Sequence, residues 1–82
     1  MKLTILYFAA VRDLVGKHDE IIDVPAAVAT IEALGAHLAS LHPELGGRLG
    51  YVRFARNEEF ALAADPVADG DTIALIPPVA GG

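Results

Sequence analysis

The chain has 82 residues, a hydrophobic fraction of 54% and a formal net charge of −5, which bounds it to one domain. Six Lys and Arg stand against eleven Asp and Glu, so no basic stripe exists to neutralise phosphates, and nucleic acid is excluded as a partner. There is no Cys, which excludes disulfides, thiolate catalysis and thiolate metal sites. A domain this short buries only about 60% of the surface that its unfolded chain exposes, so it needs an efficient core or a partner. The apolar content exceeds the usual range of about 45–50%, even with much of it alanine, and points to apolar surface that meets another protein.

Lys2–Phe8 alternates with period two, as a strand does. Leu3, Ile5 and Tyr7 form the core face; Lys2, Thr4, Leu6 and Phe8 form the outer one. Lys2 followed by Leu3–Val11 has the outline of a short signal peptide, but Thr4 and Tyr7 interrupt it and Arg12-Asp13 follows. An internal strand and a cytoplasmic location are the expectation. No apolar run approaches a membrane span. Ala9–Leu14 is a loop or short helical turn closed by Gly16, with Arg12 and Asp13 in solvent. Lys17–Val24 is a second strand, antiparallel to the first, with Ile22 and Val24 inward and Pro25 as its stop.

Thr30 is the N-cap of a helix, and Glu32 suits its first turn. Ile31, Leu34, Leu38 and Leu41 make its apolar stripe. Gly35 lies inside it at a cost of about 1 kcal/mol against Ala, a position that allows close approach to the sheet. His42-Pro43 ends the helix, and Leu45 begins a second short turn before Gly46-Gly47. Tyr51–Asn57 is the third strand, with Val52 and Phe54 inward. Asn57-Glu58-Glu59 is a turn and Phe60–Leu62 a short fourth strand. Pro66 and Asp69-Gly70-Asp71 carry turn chemistry. Thr72–Pro77 is the last strand: Ile73 and Leu75 face inward, and Thr72, Ala74 and Ile76 outward. The order predicts an α+β chain, a β-grasp (ubiquitin-like) body over residues 1–77. It has a mixed sheet of about five strands and one main helix across one face. Pairing of the first and last strands would be parallel, with the helical segment as crossover. Residues 78–82 form an extended C-terminal tail.

His18, His37 and His42 lack metal-ligand spacing and read as surface histidines. Asp69-Gly70-Asp71 lacks the ligand series of a calcium loop, and Gly46-Gly47-Arg48 lacks the Lys-Ser/Thr of a P-loop. No nucleophile–base pair can be nominated. The chemistry left is that of the end, Pro77-Pro78-Val79-Ala80-Gly81-Gly82. Two prolines stop the strand, and two glycines remove every side chain from the terminus, so that the backbone fits a narrow slot. From Pro78 to Gly82 the tail reaches roughly 15 Å when extended. The bland alternative is a frayed end; a chance pair of terminal glycines, about 0.5% of chains at ~7% glycine usage, disfavours it. The terminal carboxylate, with a reference pKa near 3.5, is ionised and a poor acyl electrophile. Another enzyme must activate it, most simply as an acyl-adenylate. Once activated, it can be converted by a sulfur donor to a thiocarboxylate, a sulfur nucleophile that needs no cysteine.

Tyr7-Phe8-Ala9-Ala10-Val11-Arg12-Asp13-Leu14-Val15-Gly16 resembles the first strand and loop of the small-subunit family of molybdopterin synthase. Asp69–Gly82 resembles its end, where Pro-Pro-Val-Ala-Gly-Gly is the characteristic tail. The resemblance is specific at both ends and loose between Lys17 and Tyr51. It implies that an E1-like adenylyltransferase, akin to the ubiquitin-activating enzymes, adenylates the tail with ATP, after which the tail is thiocarboxylated. It also implies entry of the tail into the large synthase subunit, sulfur donation to cyclic pyranopterin monophosphate, and a heterotetramer of two small and two large subunits. Carried over, Gly82 is the sulfur carrier and Gly81 its clearance. Phe8, Arg12, Phe60 and Ile76 dock partners, and Pro78, Val79 and Ala80 complete the partner-binding tail. No metal and no permanently bound cofactor are implied. The alternatives are a carrier for thiamine or tRNA thiolation, a ubiquitin-like protein modifier, and a plain β-grasp interaction module.

Overall fold

The computed structural model describes residues 1–78; the tail positions Val79, Ala80, Gly81 and Gly82 lie outside the described residues. The period-two alternation at the N-terminus becomes β1 (Lys2–Tyr7), with Leu3, Ile5 and Tyr7 buried as expected. A short helix α1 (Ala9–Val15) follows and ends on Gly16 at φ 83°, whose N–H donates to the Arg12 carbonyl at 2.8 Å. β2 (Asp19–Asp23) returns antiparallel to β1, two residues shorter at its start than the sequence suggested. The main helix α2 (Ile31–Leu41) opens on Thr30, whose hydroxyl accepts from the Ala33 N–H at 3.2 Å. Two 3₁₀ turns, Pro43–Leu45 and Leu49–Tyr51, lead to β3 (Arg53–Arg56), β4 (Glu59–Ala61) and β5 (Thr72–Ile76).

Among the described residues the five strands form one sheet in the order β2-β1-β5-β3-β4. β5 lies parallel to β1, with Ile5 opposite Ile73 and Tyr7 opposite Leu75. The α2 segment is therefore the crossover that a parallel pair requires. This is the expected β-grasp. The fully buried large side chains, Leu3, Ile5, Leu34, Leu38, Leu45, Ile73 and Leu75, form the layer between α2 and the sheet.

The structure corrects the sequence reading in several further places. Leu41 is 49% exposed; it lies about 80° round the helix from Ile31 at 3.6 residues per turn, at the edge of the stripe. Leu45, carried back by the 3₁₀ turn, fills the core instead. The third strand starts at Arg53 because Leu49–Tyr51 coils, leaving Tyr51 outside it. The fourth strand starts one residue early. Asn57 and Glu58 both take positive φ (50° and 73°), making a two-residue hairpin turn in which Glu59 already pairs with Arg56. Finally, His42 is no surface histidine, since its side chain is only 14% exposed. Its Nε2 lies 2.6 Å from Glu20 Oε2, and its ring meets Tyr7 edge-on at 5.9 Å.

Gly35 is buried against Phe54, but a Cβ there would lie 3.5 Å from Phe54 Cζ, an ordinary contact. The close approach thus leaves room for a methyl group. Gly35→Ala is expected to raise stability by up to about 1 kcal/mol through helix propensity. A lower urea midpoint for this variant would contradict that reading.

Two carboxylates tie the layers together. Tyr7 donates its phenol to Glu20 at 2.5 Å, and Lys17 reaches the other Glu20 oxygen at 3.3 Å. Asp71 is buried and accepts from Arg56 Nε (2.6 Å), Asn57 Nδ2 (3.0 Å) and the Ala68 N–H (2.8 Å), pinning the β3–β4 hairpin to the start of β5. Burial alone would push both carboxyls up, but their hydrogen bonds outweigh it and hold each below its ordinary value. For Tyr7, burial first and then the bond to Glu20 push the phenol up. The signs follow from linkage. A depressed carboxyl contributes stability that is complete above its unfolded value of about 4 and is lost as pH falls through the lower folded value. A raised phenol contributes stability up to about pH 10 that is lost at higher pH. The urea midpoint is expected to fall on both sides of a neutral plateau. Asp71→Asn should flatten the acid limb and Tyr7→Phe the alkaline one, and unchanged limbs in these variants would refute the assignment.

Candidate functional site: the outer face of the sheet

α2 covers one face of the sheet and leaves the other open. On that outer face the strand alternation places Leu6 of β1, Ala74 and Ile76 of β5, Ala55 of β3 and Phe60 of β4. Phe8, the N-cap of α1, joins them where β1 ends, and its N–H donates to the Leu75 carbonyl at 3.3 Å. These six side chains line a shallow concavity of about 560 Å³, with the Asn57-Glu58 turn and Thr72 at its margin. Phe8 is 45% and Phe60 63% exposed. Ile76 is half-buried rather than exposed, because β5 is the central strand and has neighbours on both sides.

Phe8, Phe60 and Ile76, singled out in the sequence, therefore share one cavity. Arg12 does not line it: it stays exposed on α1, with its guanidinium 3.9 Å from Asp13. Pro78 is exposed just beyond β5. Leu6, Ala55 and Ala74 were not singled out, although the same alternation that placed Phe8 and Ile76 outward also places them there. Arg53 was also missed. Its guanidinium carbon stands 4.2 Å above the Phe60 ring centroid, a contact between strands that spacing within either strand cannot announce.

Apolar lining with no acid–base pair suits docking rather than bond-making. Among the described residues, no cluster of three His, Asp or Glu could hold a metal ion, and no helix is long and apolar enough to cross a membrane.

Comparison with known proteins bears on what such a face belongs to. Residues 5–82 match the ThiS family. The chain belongs to the ThiS family. Curated relatives of this ThiS-family chain include the molybdopterin synthase sulfur carrier subunits of Chlamydomonas reinhardtii and Escherichia coli. The first is 34% identical over 100% of both chains; the second is 37% identical over 98% of this chain and 99% of its own. Small archaeal modifier protein 1 of Haloferax volcanii is 32% identical over 92% of this chain and 94% of its own. A crystal structure of that modifier superposes with a TM-score of 0.84 at 28% identity, over 95% of this chain and 98% of its own. The resemblance read at the two ends of the sequence thus extends along the whole ThiS-family fold.

Proposed function

We propose that this chain is the sulfur-carrier subunit of a molybdopterin synthase, with the carboxylate of Gly82 as its reacting group. What supports the reading most is the apolar concavity of Phe8, Phe60 and Ile76 at the root of the Pro77-Pro78 exit. A partner seated there holds the tail at a fixed origin, and four small residues then reach into its active site. The names of the relatives, sulfur carrier subunits in two distant organisms, point the same way.

The chemistry proceeds in three displacements. A carboxylate oxygen of Gly82 attacks the α-phosphorus of ATP on an E1-like adenylyltransferase, and pyrophosphate leaves. Hydrosulfide attacks the acyl carbon, AMP leaves, and the terminus becomes a thiocarboxylate. In the large synthase subunit the thiocarboxylate sulfur attacks a side-chain carbon of cyclic pyranopterin monophosphate. A carbon–sulfur bond forms as the carbon–oxygen bond there breaks, and the oxygen leaves as a phosphate ester oxygen or as water. A second water then cleaves the thioester, leaving sulfur on the pterin and restoring the carboxylate. Two such transfers build the dithiolene. This chain contributes position and sulfur, while its partners supply the acids and bases. The working assembly is a heterotetramer of two small and two large subunits in the cytoplasm.

The docking step is testable alone. Phe8→Ala is expected to weaken association with the large subunit by about 2 kcal/mol or more, as loss of an aromatic anchor does. Phe8 is half in solvent and outside the helix-side core, so the urea midpoint should stay close to wild type. An unchanged dissociation constant would remove Phe8 from the interface.

A second reading has an observation of its own, the similarity to small archaeal modifier protein 1. A modifier would join Gly82 to lysine amines through the same adenylate. Gel-shifted conjugates in cells, lost when Gly82 is deleted, would favour it. Sulfur transfer without conjugates would favour the carrier.

A further inference from the structure

Arg53 opens β3 on the outer face, in register with Ile76, the last residue of β5 before Pro77-Pro78. Its guanidinium rests over the ring of Phe60 at 4.2 Å. The ring attracts the cation and restrains a long side chain that would otherwise lose freedom on binding. Among the described residues Arg12, Lys17 and Arg56 each have a carboxylate partner, whereas Arg53, like Lys2 and Arg48, belongs to no ion pair. On a chain of net charge −5 this is a restrained positive group beside the root of the tail.

A protein that covers Phe60 must also cover the cation lying on it. Desolvating an unpaired guanidinium opposes binding, so a partner that fits must bring an anion to it. The planar fork of Arg suits a carboxylate, which it can hold through two hydrogen bonds. We propose that Arg53, seated on Phe60, is a specificity residue of the docking face: it pairs with a carboxylate on the large subunit beside the opening that receives the tail. The inference rests on the carrier reading above. Surfaces that match the apolar concavity but lack an acid at this position are rejected, because they leave the cation buried and unpaired.

The test is titration of the large subunit with wild type, Arg53→Ala, Arg53→Lys, Arg53→Glu and Phe8→Ala, at low and at high salt. At low salt Arg53→Ala should bind about tenfold and Arg53→Glu about a hundredfold more weakly than wild type, with Arg53→Lys between wild type and Ala. Raising the salt should narrow these gaps, because the lost interaction is ionic. Urea midpoints check that each variant is folded; should the Glu variant fail, Ala and Lys carry the comparison. Wild-type affinity in Arg53→Glu alongside weakened Phe8→Ala overturns the role of Arg53 and leaves the docking face standing. Equal weakening of the Arg53 variants at both salts also overturns it, since Arg53 would then act only as cover for the ring. Absence of wild-type binding overturns the carrier reading itself, and the inference with it.

Discussion

A chain lacking Gly82 is expected to donate no sulfur to the pyranopterin precursor, even when it carries a thiocarboxylate on Gly81. The shortened terminus has the same functional group, again on a glycine. It differs in reach, by roughly 3.3 Å. If the docked body fixes where the tail begins, that shortfall falls directly on the distance between sulfur and pterin. Reacting atoms must come within about 3–3.5 Å, so a loss of this size takes the sulfur out of reach. Gly81→Val approaches the same step by another route: length is kept, but a branched side chain enters a slot that is expected to exclude one. Among the described residues the buried core cluster runs from Leu3 to Leu75, and thermal stability of both variants is expected to remain near wild type. The measurement is conversion of the precursor by the large subunit with each thiocarboxylated variant. Normal product from the Gly82 deletion would overturn the positional argument while leaving the fold untouched.

Leu38→Ala is expected to cost about 2–5 kcal/mol of folding stability. Leu38 is fully buried in α2 and belongs to the cluster between helix and sheet with Ile5, Leu34, Ile73 and Leu75. Truncation there removes apolar contact and leaves a cavity that neighbours on two rigid elements fill poorly. Typical stabilities of about 0.05–0.15 kcal/mol per residue give a domain of this length about 4–12 kcal/mol in total, so the loss is a large fraction of the whole. The urea midpoint should drop sharply while the slope is kept. Leu41→Ala, on a half-exposed position of the same helix, should cost much less. Equal effects would mean that the helix buries a different face.

The first and last strands were legible because short-range rules govern them. Alternation decided β1 and β5, and it was enough to put Phe8 and Ile76 on the open face of the sheet. Thr30, Glu32 and the first turns of the stripe announced α2. The middle was harder. No Asn-Gly or Asp-Gly pair marks the β3–β4 turn, so the positive φ at Asn57 and Glu58 and the resulting one-residue shift were not readable. His42 was misread because its partner Glu20 lies 22 residues away, and only the finished fold brings β2 to the end of α2. The Arg53–Phe60 contact also depends on strand pairing, since register decides which residues of a hairpin meet. Arg12 shows the converse: it belongs to a stretch with a strong family resemblance, yet the short helix that carries it holds it away from the concavity.

The central claim is that the terminal carboxylate of Gly82 carries sulfur. Intact mass spectrometry of the purified protein tests it most directly, after incubation with the E1-like adenylyltransferase, ATP and a sulfur source. Replacement of one oxygen by sulfur adds about 16 Da, and the account predicts that gain in wild type, dependent on ATP and absent when Gly82 is blocked as an amide. An unchanged mass under these conditions, together with normal molybdopterin formation from the unmodified protein and no added sulfur source, would contradict it.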